Sequence, residues 1–198
     1  MVLVSALGAD PRSTNPYWRS KGHAERIVAD SGLAATIIRT PILLGPGMAG
    51  ARAVVQAASQ RTVTLLGGGR HSIRPLDVDD LSRAILRCCD TAPQGRVMIH
   101  ELVGPESTTY CDVVARTAAL LGRGVSVRSM PIWLAKLGAA LTGLKRCGGM
   151  TPSVIDVITS SEVVRANADV ALGVTLTPLS ATLRKLLPSE AEGTCAQP

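Results

Sequence analysis

Aromatic side chains are nearly missing from this chain. Phe is absent, and Trp and Tyr together make up 2% of its 198 residues. A core must then be filled by Leu, Val, Ile and Ala, the bulk of a 46% hydrophobic content, in a chain long enough to bury a sizeable core as one unit. The shortage also leaves little on which nucleobases could stack. The 21 Lys+Arg against 15 Asp+Glu, a net charge of +6, therefore fit phosphate-bearing ligands or an acidic surface. Nucleic acid is set aside as a partner, because the basic residues are scattered.

Cysteine is too sparse and too irregular for a disulfide framework or a metal site. Cys88, Cys89, Cys111, Cys147 and Cys195 are odd in number and lack metal-ligand spacing. Cys88 and Cys89 are expected on a helix as small buried hydrophobes. With no secretory leader to read, a cytoplasmic setting is expected. No apolar run is long enough to span a bilayer: the longest, 132–144, is interrupted by Lys136. Trp133 and Lys145-Arg146 flank it and leave a peripheral place on a membrane open, with packing against the domain the favoured use.

What is present is an alternation of element types. Strands are expected at 2–5, 34–39, 62–66, 73–77, 96–103 and 124–129. Helices are expected at 16–31, 51–59, 78–89, 107–122, 131–144, 152–161 and 178–187. Strands separated by helices imply crossovers and a largely parallel sheet, hence an α/β fold. Val2-Leu3-Val4 and Ile37-Ile38 lack polar alternation, as strands covered on both faces do.

The most informative stretch is Asn15-Pro16-Tyr17-Trp18-Arg19-Ser20-Lys21. Pro16 suits a first helical turn, where its missing N–H costs nothing. Ala24, Ile27 and Val28 then recur at the spacing of a buried stripe. Tyr17 and Lys21 are four residues apart and so share a face. A neighbouring ammonium favours phenolate and is expected to lower the tyrosine pKa toward acid–base use. Ser5, ending the first strand, carries a hydroxyl that can point to the same place.

These residues resemble the short-chain dehydrogenase/reductase superfamily. The likeness runs from Val2-Leu3-Val4-Ser5 through Tyr17 to Glu25, Arg39-Thr40-Pro41, Gly45-Pro46 and Arg74-Pro75-Leu76-Asp77-Val78-Asp79-Asp80 to Leu172-Gly173. Its atypical and extended branch is the nearest in pattern: NmrA-like proteins, the NAD-dependent epimerase/dehydratase family and the NADPH-binding accessory subunit of complex I. The resemblance implies an incomplete Rossmann-type parallel sheet, because the first nucleotide-binding half and its glycine-rich pyrophosphate loop are not found before Ser5. It implies residues 1–104 as the C-terminal half of an NAD(P)-binding domain with an inserted loop region at 45–74. Residues 105–188 would form a substrate-side region and 189–198 a frayed tail.

The implied function is NAD(P)-dependent oxidation, reduction or epimerisation at a carbonyl or hydroxyl of a small molecule, impaired in this chain taken alone. Tyr17 would be the acid/base. Lys21 would tune it and bind the nicotinamide ribose, and Ser5 would orient the substrate oxygen. Arg39, Thr40 and Pro41 would wall the nicotinamide. The cofactor is NAD(P), with NADP slightly preferred, and affinity without the first half should be poor. The alternative is a non-catalytic NAD(P)-binding sensor or accessory subunit in which the same Tyr and Lys hold the ribose without turnover. If residues 2–5 lack one neighbour, the open strand edge invites a homo-oligomer or completion of the sheet by a partner.

Other features are assigned from the residues themselves. Gly45-Pro46-Gly47-Met48-Ala49-Gly50 satisfies a dinucleotide fingerprint. Pro41 in its lead-in, and the absence of an acidic residue after the next strand, disfavour that use. Gly67-Gly68-Gly69 is read as a turn. Arg74 and His71 flank it as candidate substrate contacts, Arg74 as a bidentate partner for carboxylate or phosphate. Asp77, Asp79 and Asp80 are read as helix caps, and no metal site is expected.

Overall fold

A computed structural model describes residues 1–90, 97–142, 151–164 and 166–187. The expected tail, Cys147, Cys195 and Lys145-Arg146 lie outside the described residues. In chain order the elements are β1 (Val2–Ala6), α1 (Pro16–Asp30), β2 (Ala35–Thr40), β3 (Leu43–Leu44), α2 (Ala49–Ala58) and β4 (Thr62–Leu66). Then come β5 (Ser72–Ile73), β6 (Leu76–Asp77), α3 (Val78–Asp90), β7 (Val97–Glu101), β8 (Thr108–Thr109) and α4 (Tyr110–Leu120). The last are β9 (Ser126–Met130), α5 (Ile132–Thr142), α6 (Pro152–Thr159) and α7 (Leu179–Lys185).

The main sheet is parallel, in the order β1-β2-β7. Its register sets Leu3 beside Ile37 and Ser5 beside Arg39, then Ile37 beside Ile99 and Arg39 beside Glu101. Among the described residues β1 is paired on one side only, as the sequence led one to expect. Because side chains alternate along a strand, the sheet has two distinct faces. Leu3, Ile37 and Val97 meet Val28 of α1 on one. Val2, Val4 and Ile38 meet Leu81, Ala84 and Cys88 of α3, with Leu76, Leu102, Leu172 and Val174, on the other.

The expected strand at 73–77 is broken in two, because Pro75 has no N–H to offer a ladder. β6 pairs parallel with β3, and β5 pairs antiparallel with β8. The expected substrate-side region shares its core with the sheet side: Leu44, Val54 and Ile73 pack with Val113, Leu179 and Leu183. Two burial expectations fail. Ile27 is 70% exposed, since the inward stripe of α1 runs through Gly22, Glu25 and Val28 instead. Cys88 is buried, but Cys89, one position round the helix, is exposed.

Of the three aspartates read as caps, Asp77 caps α3 while Asp79 and Asp80 lie in its first turn, and all three hold the C-terminal segment. Asp77 accepts the Asp79 N–H at 2.9 Å, the Thr182 hydroxyl at 2.7 Å and the Lys185 ammonium at 2.9 Å. Asp80, fully buried, accepts the N–H and hydroxyl of Thr177, both at 2.7 Å, and pairs with Arg83. Among the described residues no group of His, Cys, Asp or Glu is placed to hold a metal.

Burial pushes the Asp77 carboxyl up, but Lys185, Thr182 and the Asp79 N–H outweigh it and hold the group below its ordinary range. A carboxylate whose folded pKa is depressed adds stability above its unfolded pKa and loses it as pH falls through the folded value. Asp77→Asn is therefore expected to cost about 1.5–3 kcal/mol near neutral pH. The gap to the parent should close below the carboxylate range. Urea unfolding of both chains across acid to neutral pH checks this, and a gap independent of pH would contradict it.

Candidate active site

α1 begins where it does because Asn15 caps it. The Asn15 side-chain oxygen accepts the Tyr17 N–H at 2.9 Å, and Pro16 fills the first turn. The Asn15 amide nitrogen donates to the Ser153 carbonyl at 2.9 Å, fastening the start of α1 to α6. From that start, Tyr17, Lys21 and Glu25 follow at intervals of four along one stripe.

The lower end of the stripe is locked. Arg39 Nε and Nη2 donate to Glu25 Oε1 and Oε2 at 2.9 and 2.6 Å, a bidentate pair with Glu25 buried. Hydrogen bonding to Glu25 raises the Arg39 pKa further. This pair holds α1 to β2. Arg39 points to the α1 side of the sheet, and Ser5, its register partner, points the same way.

Ser5 is 3% exposed, and its Oγ is, among the described residues, the buried side-chain polar atom without a hydrogen-bond partner. A buried hydroxyl left unsatisfied costs about 1–3 kcal/mol, and such an atom fits a site whose partner is a ligand. Thr40 is buried and donates its hydroxyl to the Ser5 carbonyl at 3.2 Å, so it braces the strand end from behind. Pro41 follows, half-buried, on the link to β3.

Tyr17 is 42% exposed, and the burial of the remainder raises its phenol above the ordinary value. That reverses the expected lowering, through desolvation of the phenolate. Tyr17 Oη and Lys21 Nζ make no hydrogen bond to another described residue. The structure thus brings Ser5 and the Tyr17–Lys21 stripe to one side of the sheet.

His71 and Arg74 belong to a different neighbourhood. The His71 ring stacks on Tyr110, with centroids 6.3 Å apart and planes 14° from parallel, and burial lowers its pKa. Arg74 Nε donates to the Gly104 carbonyl at 3.0 Å, and its backbone N–H donates to Glu162 Oε2 at 2.6 Å. The guanidinium expected to grip a substrate anion is therefore partly engaged by main chain. Burial raises the Glu162 carboxyl, opposed by the N–H groups of Arg74 and Ile42. Two of the three glycines of the fingerprint-like run serve packing: a Cβ on Gly45 would meet Val78 at 2.2 Å, and one on Gly50 would meet the Leu43 carbonyl at 3.0 Å, while Gly47, with φ of 79°, serves the turn. Gly67, Gly68 and Gly69 have φ of 56°, 70° and 65°, a left-handed turn between β4 and β5, as read from the sequence.

Sequence reasoning missed Asn15, Glu25 and Glu162. Asn before Pro at a helix start is a readable cap signal. Nothing local marks Glu25 as the partner of Arg39, or Glu162 as the acceptor of the Arg74 N–H.

Residues 5–99 match the family described as NAD dependent epimerase/dehydratase. A ceramide reductase of Caulobacter vibrioides (strain NA1000 / CB15N) is 24% identical over 189 residues, covering 96% of this chain and 57% of that protein. Among solved structures, MoeE5 in complex with UDP-glucose and NAD has a TM-score of 0.67 at 20% identity, covering 93% of this chain and 62% of that one. RMD from Pseudomonas aeruginosa complexed with NADPH has a TM-score of 0.66 at 16% identity, covering 93% and 64%. The likeness to these structures shows a shared fold. The chain spans less than two thirds of the length of each of the three.

Proposed function

We propose that this chain, whose residues 5–99 match the NAD dependent epimerase/dehydratase family, forms the substrate- and nicotinamide-side part of an NAD(P)-dependent oxidoreductase or epimerase of the extended short-chain dehydrogenase/reductase type. Its substrate is a small molecule with a carbonyl or hydroxyl group. The observation that carries the reading is the buried, partnerless Ser5 hydroxyl on the side of the sheet that α1 covers.

The residues present fit a nicotinamide cofactor at one end. When bound, the nicotinamide supplies the hydride acceptor or donor. The chain's own side chains do the rest. Lys21 Nζ, held one turn from Tyr17, donates to the ribose hydroxyls. Ser5 Oγ donates to the substrate oxygen and fixes its position. Tyr17 Oη gives its proton to that oxygen as it becomes an alkoxide, or takes one in the reverse direction. Arg39 positions the helix through Glu25 and touches neither ligand.

A second reading, a cofactor-binding module without turnover, gains from the raised phenol of Tyr17, which stays protonated and is a hydrogen-bond donor but a poor base. Saturation-transfer NMR tests the shared premise, because it reads weak affinities. With NADPH or NADH, transfer to the nicotinamide and adjacent ribose protons is expected, falling by roughly tenfold in Lys21→Ala as a charge-assisted bond is lost. Transfer confined to the adenine end, or unchanged in Lys21→Ala, would remove the assignment.

A further inference from the structure

Among the described residues, the pair α5–α6 leaves an apolar face uncovered. α5 has one charged residue, Lys136, in its eleven, and a helix apolar all round is ordinarily buried. Here only one side is. Ile132, Ala135, Lys136 and Ala139, at i, i+3, i+4 and i+7, turn inward; Ala139 is buried, and Lys136 Nζ lies 2.5 Å from Asp156 of α6. The other side shows Trp133, Leu134 and Leu137 at 68%, 46% and 51% exposure. Met130 leads into it, and α6 adds exposed Val154 and Ile158, one turn apart. Exposed apolar surface of this kind marks a contact with a protein or a membrane.

Charge decides between them. Residues 113–155 contain six basic side chains, Arg116, Arg123, Arg128, Lys136, Lys145 and Arg146, and no Asp or Glu. The rest of the chain has 15 basic and 15 acidic residues, so in sequence the net charge of +6 falls within 113–155, with Lys145 and Arg146 of that segment outside the described residues. The basic residues are spread along the chain, as the sequence suggested; it is the acidic ones that avoid this segment. Arg116 and Lys136 are neutralised by Glu106, Asp112 and Asp156, whereas Arg128 stands exposed on the strand that leads into α5. A second copy docked by the same face would set this positive stretch against itself. An anionic bilayer complements both properties: its headgroups attract the cations, and its boundary region takes the indole and the leucines.

We propose that the α5–α6 face docks the protein on anionic lipid bilayers. The Asn15–Ser153 bond ties α6 to the first turn of α1, so Tyr17 sits near the rim of the docked face. The proposal does not depend on the redox reading, and Tyr17→Phe is expected to bind membranes as the parent does.

The test mixes the 198-residue chain with vesicles of phosphatidylcholine, with and without phosphatidylglycerol, at low and high salt, and measures co-sedimentation. Binding is expected to phosphatidylglycerol vesicles at low salt, weaker by roughly tenfold or more at high salt. The double substitution Trp133→Ser with Leu137→Ser removes two exposed side chains and leaves the inward side of α5 alone. It should abolish sedimentation with an unchanged far-ultraviolet spectrum. Brominated lipid should quench the indole fluorescence, and Trp133→Phe should remove that quenching, leaving Trp18 unaffected. Equal binding to neutral vesicles, binding that survives the double substitution, or no binding at all would overturn the proposal. So would a dimer, seen by sedimentation equilibrium, that the same double substitution dissolves without any vesicle binding by the parent.

Discussion

Replacing Tyr17 by phenylalanine should lower NAD(P)H-dependent reduction of aldehydes and ketones by about 10²–10⁴-fold, the usual worth of a positioned proton donor. Cofactor affinity should barely change, because Lys21 and Ser5 are untouched. Phe keeps the ring that half-buries against the protein, so the fold should be unaffected and the loss should fall on kcat rather than KM. The sign of the pH dependence follows from the raised phenol. Reduction uses the protonated form, so its rate should stay level through neutral pH and fall only above the ordinary tyrosine value. Oxidation uses phenolate and should climb with pH over the same range. Turnover that survives in Tyr17→Phe would leave the non-catalytic binding module as the better reading.

The parts of this site that were legible in the sequence are those fixed by local geometry. Tyr17 and Lys21 share a face because four residues make about one turn of any α-helix. Ser5 is read as the end of the first strand; β1 runs one residue further, to Ala6, so Ser5 sits just inside its end. The alternation of strands and helices was legible for the same reason, and every long element lies where the periodicity set it. What escaped was decided across the fold. The stripe of α1 was read as Ala24, Ile27 and Val28, but the inward positions are Gly22, Glu25 and Val28. A glycine and a glutamate do not look like a buried face until Pro11 and Arg39 are seen against them. The resemblance placed Arg39 with Thr40-Pro41, but the partner it holds, a carboxylate fourteen residues earlier, was not visible in any local pattern. The direction of the Tyr17 shift escaped as well, because proximity to Lys21 is visible in spacing while desolvation is visible only in packing.

Gly22→Ala tests how closely the site is built against its loop, and the expected sign is opposite to helix propensity. In an open helix interior this change stabilises by about 1 kcal/mol. At Gly22 an ideal Cβ would lie 2.2 Å from the Pro11 nitrogen, 2.3 Å from the Asp10 carbonyl carbon and 2.7 Å from Pro11 Cδ. Ordinary contact between such atoms is about 3.5–4.0 Å, so one side must move by more than 1 Å. The obstacle is backbone, and it is pinned: Asp10 N–H donates to the Trp18 carbonyl at 3.2 Å, and Ser13 N–H donates to the Asp10 carbonyl at 3.0 Å. Further back, Gly8, with φ of 78°, lies against the Trp18 indole, where a Cβ would be 3.1 Å from the ring nitrogen. The loop cannot recede without losing these bonds, and α1 cannot tilt away without straining the Glu25–Arg39 pair. Overpacking of this kind costs about 1–3 kcal/mol or more, and a backbone obstacle sets the expected loss at the upper end, near 3 kcal/mol. Thermal unfolding should then shift down by about 6–12 °C for a chain of this size. Gly138→Ala supplies the contrast: it is also a helix-interior glycine, with nothing within 4 Å of its Cβ, and should gain stability. Because Lys21 adjoins Gly22, a displaced α1 should also weaken nicotinamide binding in Gly22→Ala, while Gly138→Ala leaves it unchanged. If both variants were stabilised alike, the close approach of the 7–14 loop to α1 would be wrong, and with it the geometry that sets Tyr17 and Lys21 over the Ser5 side of the sheet.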